Sequence, residues 1–374
     1  MTERRYRMSR RTFLRVTAAV GATDLSLGRT SMTAFMRSKN SSMTLQEKVG
    51  QLFVVSFAGT SPSRQFLSLL HNGGFGGVIL YGRNCHSMRQ IRSMLFTLQS
   101  ASRLPLLVGV DQEGGEVIRI RAGVPTFPSE AVYGRAGSAW RTYTDAATTA
   151  RGLHALGVTI NFAPVVDVLS NPTSPIGDRS YGPDPHLDAR LAVAAIKGYQ
   201  SHRLAATAKH FIGLGHTSID SHQALPTVHR TLAQLESDDL IPFRAAVRAG
   251  VSTILVAHVA LPAIDSVYRP ASLSPVVIGG LIRKHLGFAG VVMTDSLVMG
   301  ALPGGRTAEA AERALAAGAD ILLFGADHDI PLQVLENSMS RVIAAVKAGR
   351  VPERRLDEAV SRVLALKRRW PSAV

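Results

Sequence analysis

Eight short apolar runs, alternating with segments whose apolar residues recur at helical spacing, constrain this chain more than any other feature. The runs are LFVVSF (52–57), GGVILY (76–81), PLLVGVD (105–111), INFAPVVDV (160–168), AATAKHF (205–211), TILVAHV (253–259), GVVMTDS (290–296) and ADILLFG (319–325). Because they lack the polar alternation of a half-exposed strand, they are typical of strands buried on both faces of a parallel sheet. The segments between them, such as SMRQIRSMLFTLQS and LDARLAVAAIKGYQ, fit amphipathic helices. Eight such units predict an α/β fold, a (β/α)8 TIM barrel, with a doubly wound open sheet as the alternative.

Basic residues are concentrated at the amino end of the 374-residue chain, whose formal net charge is +15. The first 39 residues hold nine Arg or Lys against two acidic residues. In this stretch Arg10 and Arg11 precede a modest apolar segment, an arrangement that resembles a twin-arginine export signal. We therefore divide the chain into a basic tail, residues 1–41, and one barrel domain, residues 42–374. Export to the cell envelope or beyond is expected, with a cytoplasmic location as the alternative.

Several classes of protein and site are excluded by what the sequence lacks. No segment has the roughly 18 uninterrupted apolar residues of a membrane-spanning helix. No nucleic-acid-binding signature accompanies the basic patches, so we expect no nucleic-acid partner. The single cysteine, Cys85, allows neither an intramolecular disulfide nor a cysteine zinc cluster. Because the histidines also lack metal-ligand spacing, we expect no metal and no cofactor. We also expect a monomeric protein.

Ionisable residues stand at the ends of five of the eight predicted strands. They are Asp111, Asp167, Lys209, His210, His258 and Asp295. In a (β/α)8 barrel the carboxyl ends of the strands meet at one face, which carries the active site. These side chains are therefore predicted to converge on one mouth of the barrel.

The densest polar stretch is KHFIGLGHTSIDSHQALP, residues 209–226, which begins within the fifth apolar run. A buried loop of this composition would leave its polar groups without hydrogen-bond partners, so such a loop usually lines a cavity.

Seven segments together resemble the β-N-acetylhexosaminidases of glycoside hydrolase family 3. They are TLQEKVGQLFVV, GVDQEGGEVIRI, NFAPVVDV, IGDRSYGPDP, the stretch from AKHF to DSHQALP, AHVALPAID and LGFAGVVMTDSLVMGAL. They occur in the family's order and spacing over residues 45–363. The resemblance implies a retaining exo-acting enzyme that removes terminal β-linked N-acetylhexosamine from cell-wall, muropeptide or chitin-type oligosaccharides.

The same resemblance implies a role for each of eight residues. Asp295 would be the nucleophile, and His222, paired with Asp220, the general acid and base. In an extended loop, residues two apart project to the same side, so Asp220 can hold one ring nitrogen of His222 while the other faces the substrate. The sugar-binding groups would be Asp111, Arg119, Arg179, Lys209 and His210. His258 is expected to satisfy buried backbone rather than to act in catalysis.

The chain departs from the family's usual K-H-F-P-G-H-G-D-T at three positions. Ile212 replaces the proline, which would loosen the start of the loop, Leu214 replaces a histidine, and His216 replaces the acid. Lower activity or altered specificity would follow. The alternatives are a β-glucosidase-like hydrolase, a glycoside phosphorylase of the same family, and a non-catalytic sugar-binding barrel.

Overall fold

The computed structural model describes residues 43–302 and 306–374. Eight parallel strands form one sheet: β1 (Phe53–Val55), β2 (Gly77–Leu80), β3 (Leu107–Val110), β6 (Ile160–Asn161), β7 (Ala205–Phe211), β8 (Thr253–Val256), β9 (Val291–Thr294) and β10 (Leu322–Phe324). Each of these strands falls within one of the eight apolar runs. All strand pairs within this sheet are parallel, as expected for strands covered on both faces.

The sheet closes on itself. Its order is β10-β1-β2-β3-β6-β7-β8-β9, and β9 meets the segment entering β10 through a parallel bridge between Met293 and Ile321. The Thr294 N–H also donates to the Ile321 carbonyl at 3.1 Å. The predicted (β/α)8 barrel is confirmed, and the doubly wound open sheet was the wrong alternative.

Helices cover the outside of the barrel. They are α1 (Leu45–Gly50), α2 (Arg64–Gly73), α3 (Met88–Ala101), α4 (Glu130–Ala136), α5 (Ala139–Leu156), α6 (Pro185–Ser201), α7 (Leu232–Ser237), α8 (Leu240–Arg248), a π-helix (Val276–His285), α9 (Thr307–Ala317), α10 (Leu332–Lys347) and α11 (Glu353–Arg369). Local sequence fixes several starts: Thr44 and Glu47 form a capping box on α1, and Asp184 caps α6 ahead of Pro185.

A short antiparallel hairpin, β4 (Gln112–Gly114) and β5 (Val117–Ile118), is inserted directly after β3. It therefore starts at the carboxyl end of a barrel strand, on the face where the polar residues were predicted to meet. Inside the barrel, Gly109 has no room for a side chain, because a Cβ there would lie 2.5 Å from the Phe162 ring.

The described chain from Thr44 to Val374 is one compact unit. The predicted basic tail, residues 1–41, with its twin-arginine pair lies outside the described residues. Within residues 43–302 and 306–374, no helix combines the length and apolar character needed to cross a bilayer.

Candidate active site

A cavity of about 560 Å³ opens at the carboxyl ends of the strands. All eight predicted site residues line it: Asp111, Arg119, Arg179, Lys209, His210, Asp220, His222 and Asp295. Of the other two strand-end residues, Asp167 and His258 do not line the cavity but contact residues at its wall. The predicted convergence at one mouth is therefore what the structure shows.

Asp295 stands directly after β9, where its backbone N–H donates to the Val256 carbonyl at 2.9 Å. Its Oδ1 accepts the Ser296 N–H at 2.8 Å. Burial alone would raise the pKa of the Asp295 carboxyl, but the imidazoles of His258 and His210 and the Ser296 N–H together lower it. Asp295 is thus an ionised carboxylate whose orientation is fixed by the end of a strand, which suits a nucleophile.

His222 and Asp220 form a pair on the loop after β7. The His222 Nδ1 lies 2.8 Å from Asp220 Oδ1, and the same oxygen accepts the backbone N–H of His222 at 2.9 Å. Since a carboxylate can only accept, Nδ1 carries the proton in this bond and Nε2 is the nitrogen left for other chemistry. The predicted pairing is present, although residues 221–223 form a turn rather than the extended loop that we expected.

The tip of this loop is bonded to the segment that follows Asp295. Gly300 N–H donates to the His222 carbonyl at 3.1 Å, and Ala301 N–H donates to the Ser221 carbonyl at 3.0 Å. A Cβ on Gly300 would lie 2.5 Å from the His222 oxygen, so only glycine permits this approach. These two bonds link the loop that carries His222 to the chain that carries Asp295.

Glu113, on the hairpin, joins two of the predicted sugar-binding cations. Lys209 Nζ lies 2.5 Å from Glu113 Oε1 and 2.7 Å from Asp111 Oδ1. Arg179 donates two hydrogen bonds to Glu113, from Nε to Oε2 at 2.7 Å and from Nη2 to Oε1 at 2.8 Å. Burial would raise the pKa of Glu113, but the two cations hold it well below its usual value, and the carboxylates in turn raise the pKa of Lys209 against the effect of its burial. Glu113 and Lys209 are therefore both charged near neutral pH.

His210 is fixed by Asp167, which is almost fully buried. Asp167 Oδ2 accepts both the His210 backbone N–H at 3.0 Å and Nδ1 at 2.8 Å. The other ring nitrogen, Nε2, lies 3.3 Å from Arg179 Nη2 at the cavity wall. Asp167 therefore orients a residue of the site without lining the site itself.

His258 is fully buried beneath Asp295 and has structural partners on both ring nitrogens. Nε2 lies 2.8 Å from the Ser296 carbonyl and Nδ1 lies 2.7 Å from Ser272 Oγ. Burial lowers the pKa of His258, although Asp295 partly opposes this effect. The contact of Nε2 with the Ser296 carbonyl matches the expectation that His258 satisfies buried backbone.

Arg119 packs against the ring of Tyr81, with its guanidinium carbon 5.6 Å from the ring centroid. Tyr81 ends the second apolar run and lines the cavity at its base. Gly325 lies beneath the Tyr81 hydroxyl, and a Cβ at that glycine would come within 2.7 Å of Oη. Tyr81 thus supports Arg119 and presents a phenol to the cavity.

Sequence reasoning missed four ionisable residues of the cavity: Tyr81, Glu113, Asp327 and His328. Signals for three of them were present, since Tyr81 ends the second run and Asp327 and His328 lie within three residues of the end of the eighth. Arg83 holds the backbone near the last two, donating to the His328 carbonyl at 2.8 Å and pairing with Asp329 at 2.8 Å.

One cluster among the described residues could in principle share a metal ion. His216, Asp238 and Asp239 each offer a ligand atom, all within 4.8 Å of one another. Arg230 already contacts both carboxylates, so their negative charge has a cationic partner. The absence of a metal or cofactor stays a prediction.

Comparison with known proteins places the chain in a family. A model of the glycosyl hydrolase family 3 N terminal domain matches residues 44–366. A beta-hexosaminidase from Chromobacterium violaceum is 36% identical over 277 residues, which cover 72% of this chain and 76% of that protein.

Two solved structures are also similar. A glycoside hydrolase family 3 beta-N-acetylglucosaminidase from a Paenibacillus species has a TM-score of 0.84 and 40% identity, over 88% of this chain and 63% of that one. A beta-N-acetylhexosaminidase from Beutenbergia cavernae has a TM-score of 0.79 and 30% identity, over 87% of this chain and 98% of that one. The chain therefore spans less than two thirds of the Paenibacillus enzyme and nearly all of the Beutenbergia enzyme. On the family match and these likenesses, the chain belongs to glycosyl hydrolase family 3 and is a glycoside hydrolase.

Proposed function

We propose that the chain is a retaining exo-acting β-N-acetylglucosaminidase, which removes terminal β-linked N-acetylhexosamine from oligosaccharides. The observation that carries the proposal is the His222–Asp220 pair, bonded at 2.8 Å and lining the same cavity as Asp295. An imidazole held by a carboxylate is a proton carrier, and a separate ionised carboxylate is a nucleophile. The names of the relatives, beta-hexosaminidase and beta-N-acetylglucosaminidase, support the same substrate class.

In the first step, an oxygen of Asp295 attacks the anomeric carbon, and the bond from that carbon to the leaving oxygen breaks. The proton on His222 Nε2 passes to the leaving oxygen, so the departing sugar is released as a neutral alcohol. Asp220 accepts the Nδ1 proton and thereby orients the ring, so that Nε2 is the nitrogen that transfers the proton.

In the second step, neutral His222 takes a proton from water, whose oxygen attacks the anomeric carbon. The bond to Asp295 breaks, and the carboxylate is regenerated. Two inversions give a product with the β configuration of the substrate. Asp111, Arg119, Arg179, Lys209 and His210 would hold the hydroxyls of the reacting sugar, since they line the cavity from the β3 to β7 side.

The experiment is an assay of the purified protein on nitrophenyl β-N-acetylglucosaminide and nitrophenyl β-glucoside, with and without inorganic phosphate. The proposal predicts preference for the N-acetyl substrate, free N-acetylglucosamine as product, and no turnover by Asp295→Ala. Sugar 1-phosphate as the main product would identify a phosphorylase instead. Binding of N-acetylglucosamine without turnover by the wild type would identify a sugar-binding barrel.

We further propose that the natural substrates are cell-wall fragments and that the protein is exported by the twin-arginine route. The support is the basic tail with Arg10 and Arg11, together with a cavity of about 560 Å³ lined by the predicted sugar-binding residues. Replacing both arginines by lysine should retain the protein in the cytoplasm. Comparable rates on chitobiose and on muropeptides would argue against a dedicated cell-wall role, and export of the lysine variant would contradict the signal.

A further inference from the structure

The acid/base loop, which we define as residues 217–229, leaves the barrel after β7 and returns before α7. It carries Asp220 and His222. His216 stands immediately before the loop and Arg230 immediately after it. Both of these residues contact Asp239, and Arg230 also contacts Asp238. The two carboxylates directly precede helix α8.

The contacts at this point are short and well covered. His216 Nε2 lies 2.9 Å from each carboxylate oxygen of Asp239. Arg230 Nε lies 3.3 Å from Asp239 Oδ2, and Arg230 Nη2 donates to Asp238 Oδ1 at 2.6 Å. The side chains of His216 and Asp239 are only 11% and 3% exposed, so solvent screens this network weakly.

The entrance of the loop has a second support in its backbone. Ser174 Oγ donates to the Leu214 carbonyl at 2.9 Å, and the Asn171 N–H donates to the Gly215 carbonyl at 2.9 Å. With the tip bonded to Gly300 and Ala301, the loop is attached at its base and at its tip. A loop with two attachments loses more of its conformational freedom than one held at its ends alone.

We propose that His216, Asp239, Arg230 and Asp238 form an ionic clasp that closes the base of the acid/base loop and thereby positions His222 for proton transfer. The inference rests on the proposed function, since it assigns the clasp to the general acid of that reaction. His216, a departure from the family pattern in sequence, is then a positioning residue with a defined partner. It acts through His222 and does not touch the substrate.

The test compares His216→Ala and Asp239→Asn with the wild type on two substrates. A disaccharide, chitobiose, needs its leaving oxygen protonated, whereas a nitrophenolate leaves without that proton. Loss of the clasp should lower kcat/KM for chitobiose at least 10-fold and lower the rate of glycosylation by the nitrophenyl substrate far less. Added azide should accelerate nitrophenyl turnover in the variants, because it needs no general base.

Two further variants separate positioning from general destabilisation. His216→Gln keeps an N–H donor near the place of Nε2 and should restore most of the chitobiose activity. His285→Ala removes a more exposed histidine that lies 3.1 Å from Glu236, and it should leave the ratio of the two rates unchanged. Equal loss on both substrates in His216→Ala, at an unchanged melting temperature, would overturn the clasp.

Hydrogen exchange gives a readout that does not depend on catalysis. In His216→Ala, amides of residues 217–229 should exchange faster, while those of β3 and β7 keep wild-type rates. Unchanged exchange in the loop would overturn the clasp even if the protein proved inactive on both substrates. An inactive wild type with the expected exchange pattern would instead refute the proposed function alone.

Discussion

Gly300→Ala should disturb proton transfer without disturbing the barrel. A Cβ at this position would lie 2.5 Å from the His222 carbonyl oxygen and 2.9 Å from that of Gln223. Both atoms are backbone, so the clash cannot be relieved by rotating a side chain. The loop tip must move away, which breaks the Gly300 bond to His222 and strains the neighbouring Ala301 bond to Ser221.

The size of the effect follows from these two hydrogen bonds. At about 0.5–1.5 kcal/mol each, their loss shifts the equilibrium between docked and undocked loop by about 1–3 kcal/mol. Because about 1.4 kcal/mol is a factor of ten, kcat/KM for chitobiose should fall about 5- to 150-fold. Glycosylation by nitrophenyl N-acetylglucosaminide should fall much less, since it does not need the proton.

The assay is the ratio of the two kcat/KM values, measured beside the melting temperature. Gly279→Ala is the matched control, because a Cβ there meets no atom within 4 Å. It should leave both rates unchanged. A Gly300→Ala variant that cleaves chitobiose at the wild-type rate, or that loses both activities equally, would refute the reasoning.

Three other predictions concern charge. Glu113→Gln should lower the free energy of unfolding by about 3–5 kcal/mol and raise KM, because it removes a carboxylate charge from buried Lys209 and partly buried Arg179. Glu309→Gln, in a partly exposed ion pair, should do neither, and a Glu113 variant of wild-type stability would contradict this account. Burial lowers the pKa of Lys367 to about 7. Between pH 7 and about 10 the unfolded chain therefore binds one more proton than the folded chain. The free energy of unfolding should rise over this range by at most about 1.4 kcal/mol per pH unit. In denaturant unfolding, the free energy of unfolding of Lys367→Met should rise less over this pH range than that of the wild type. Equal rises in the two proteins would contradict a neutral buried amine at Lys367. EDTA should leave the activity unchanged. Loss of activity in EDTA that added zinc restores would instead indicate a metal site.

The barrel was predictable because its strands are buried on both faces and therefore read as uninterrupted apolar runs. Strand ends converge at one face by geometry alone, so Asp111, Lys209 and Asp295 could be assigned to one cavity before any coordinates. The pairing of Asp220 with His222 was also accessible, since the two residues are neighbours in the chain.

Contacts between distant segments were not predictable in this way. Glu113 lies on an inserted hairpin rather than at a strand end, and its role depends on Arg179, 66 residues away. His216, which departs from the family pattern, pairs with Asp239, 23 residues away. The departure at this position therefore has a defined contact in the folded chain. Ile212 and Leu214, the other two departures, are buried side chains, so they contribute apolar packing where the family pattern has a proline and a polar group.

The central claim is that Asp295 forms a covalent bond to the substrate sugar. It is tested most directly by incubating the protein with a 5-fluoro N-acetylglucosaminyl fluoride, digesting it with protease and identifying the labelled peptide by mass spectrometry. The account predicts one added sugar, attached at Asp295, in the wild type and in His222→Ala, because fluoride leaves without a proton. A label on another carboxylate, or turnover with no covalent species and with inverted product, would contradict it.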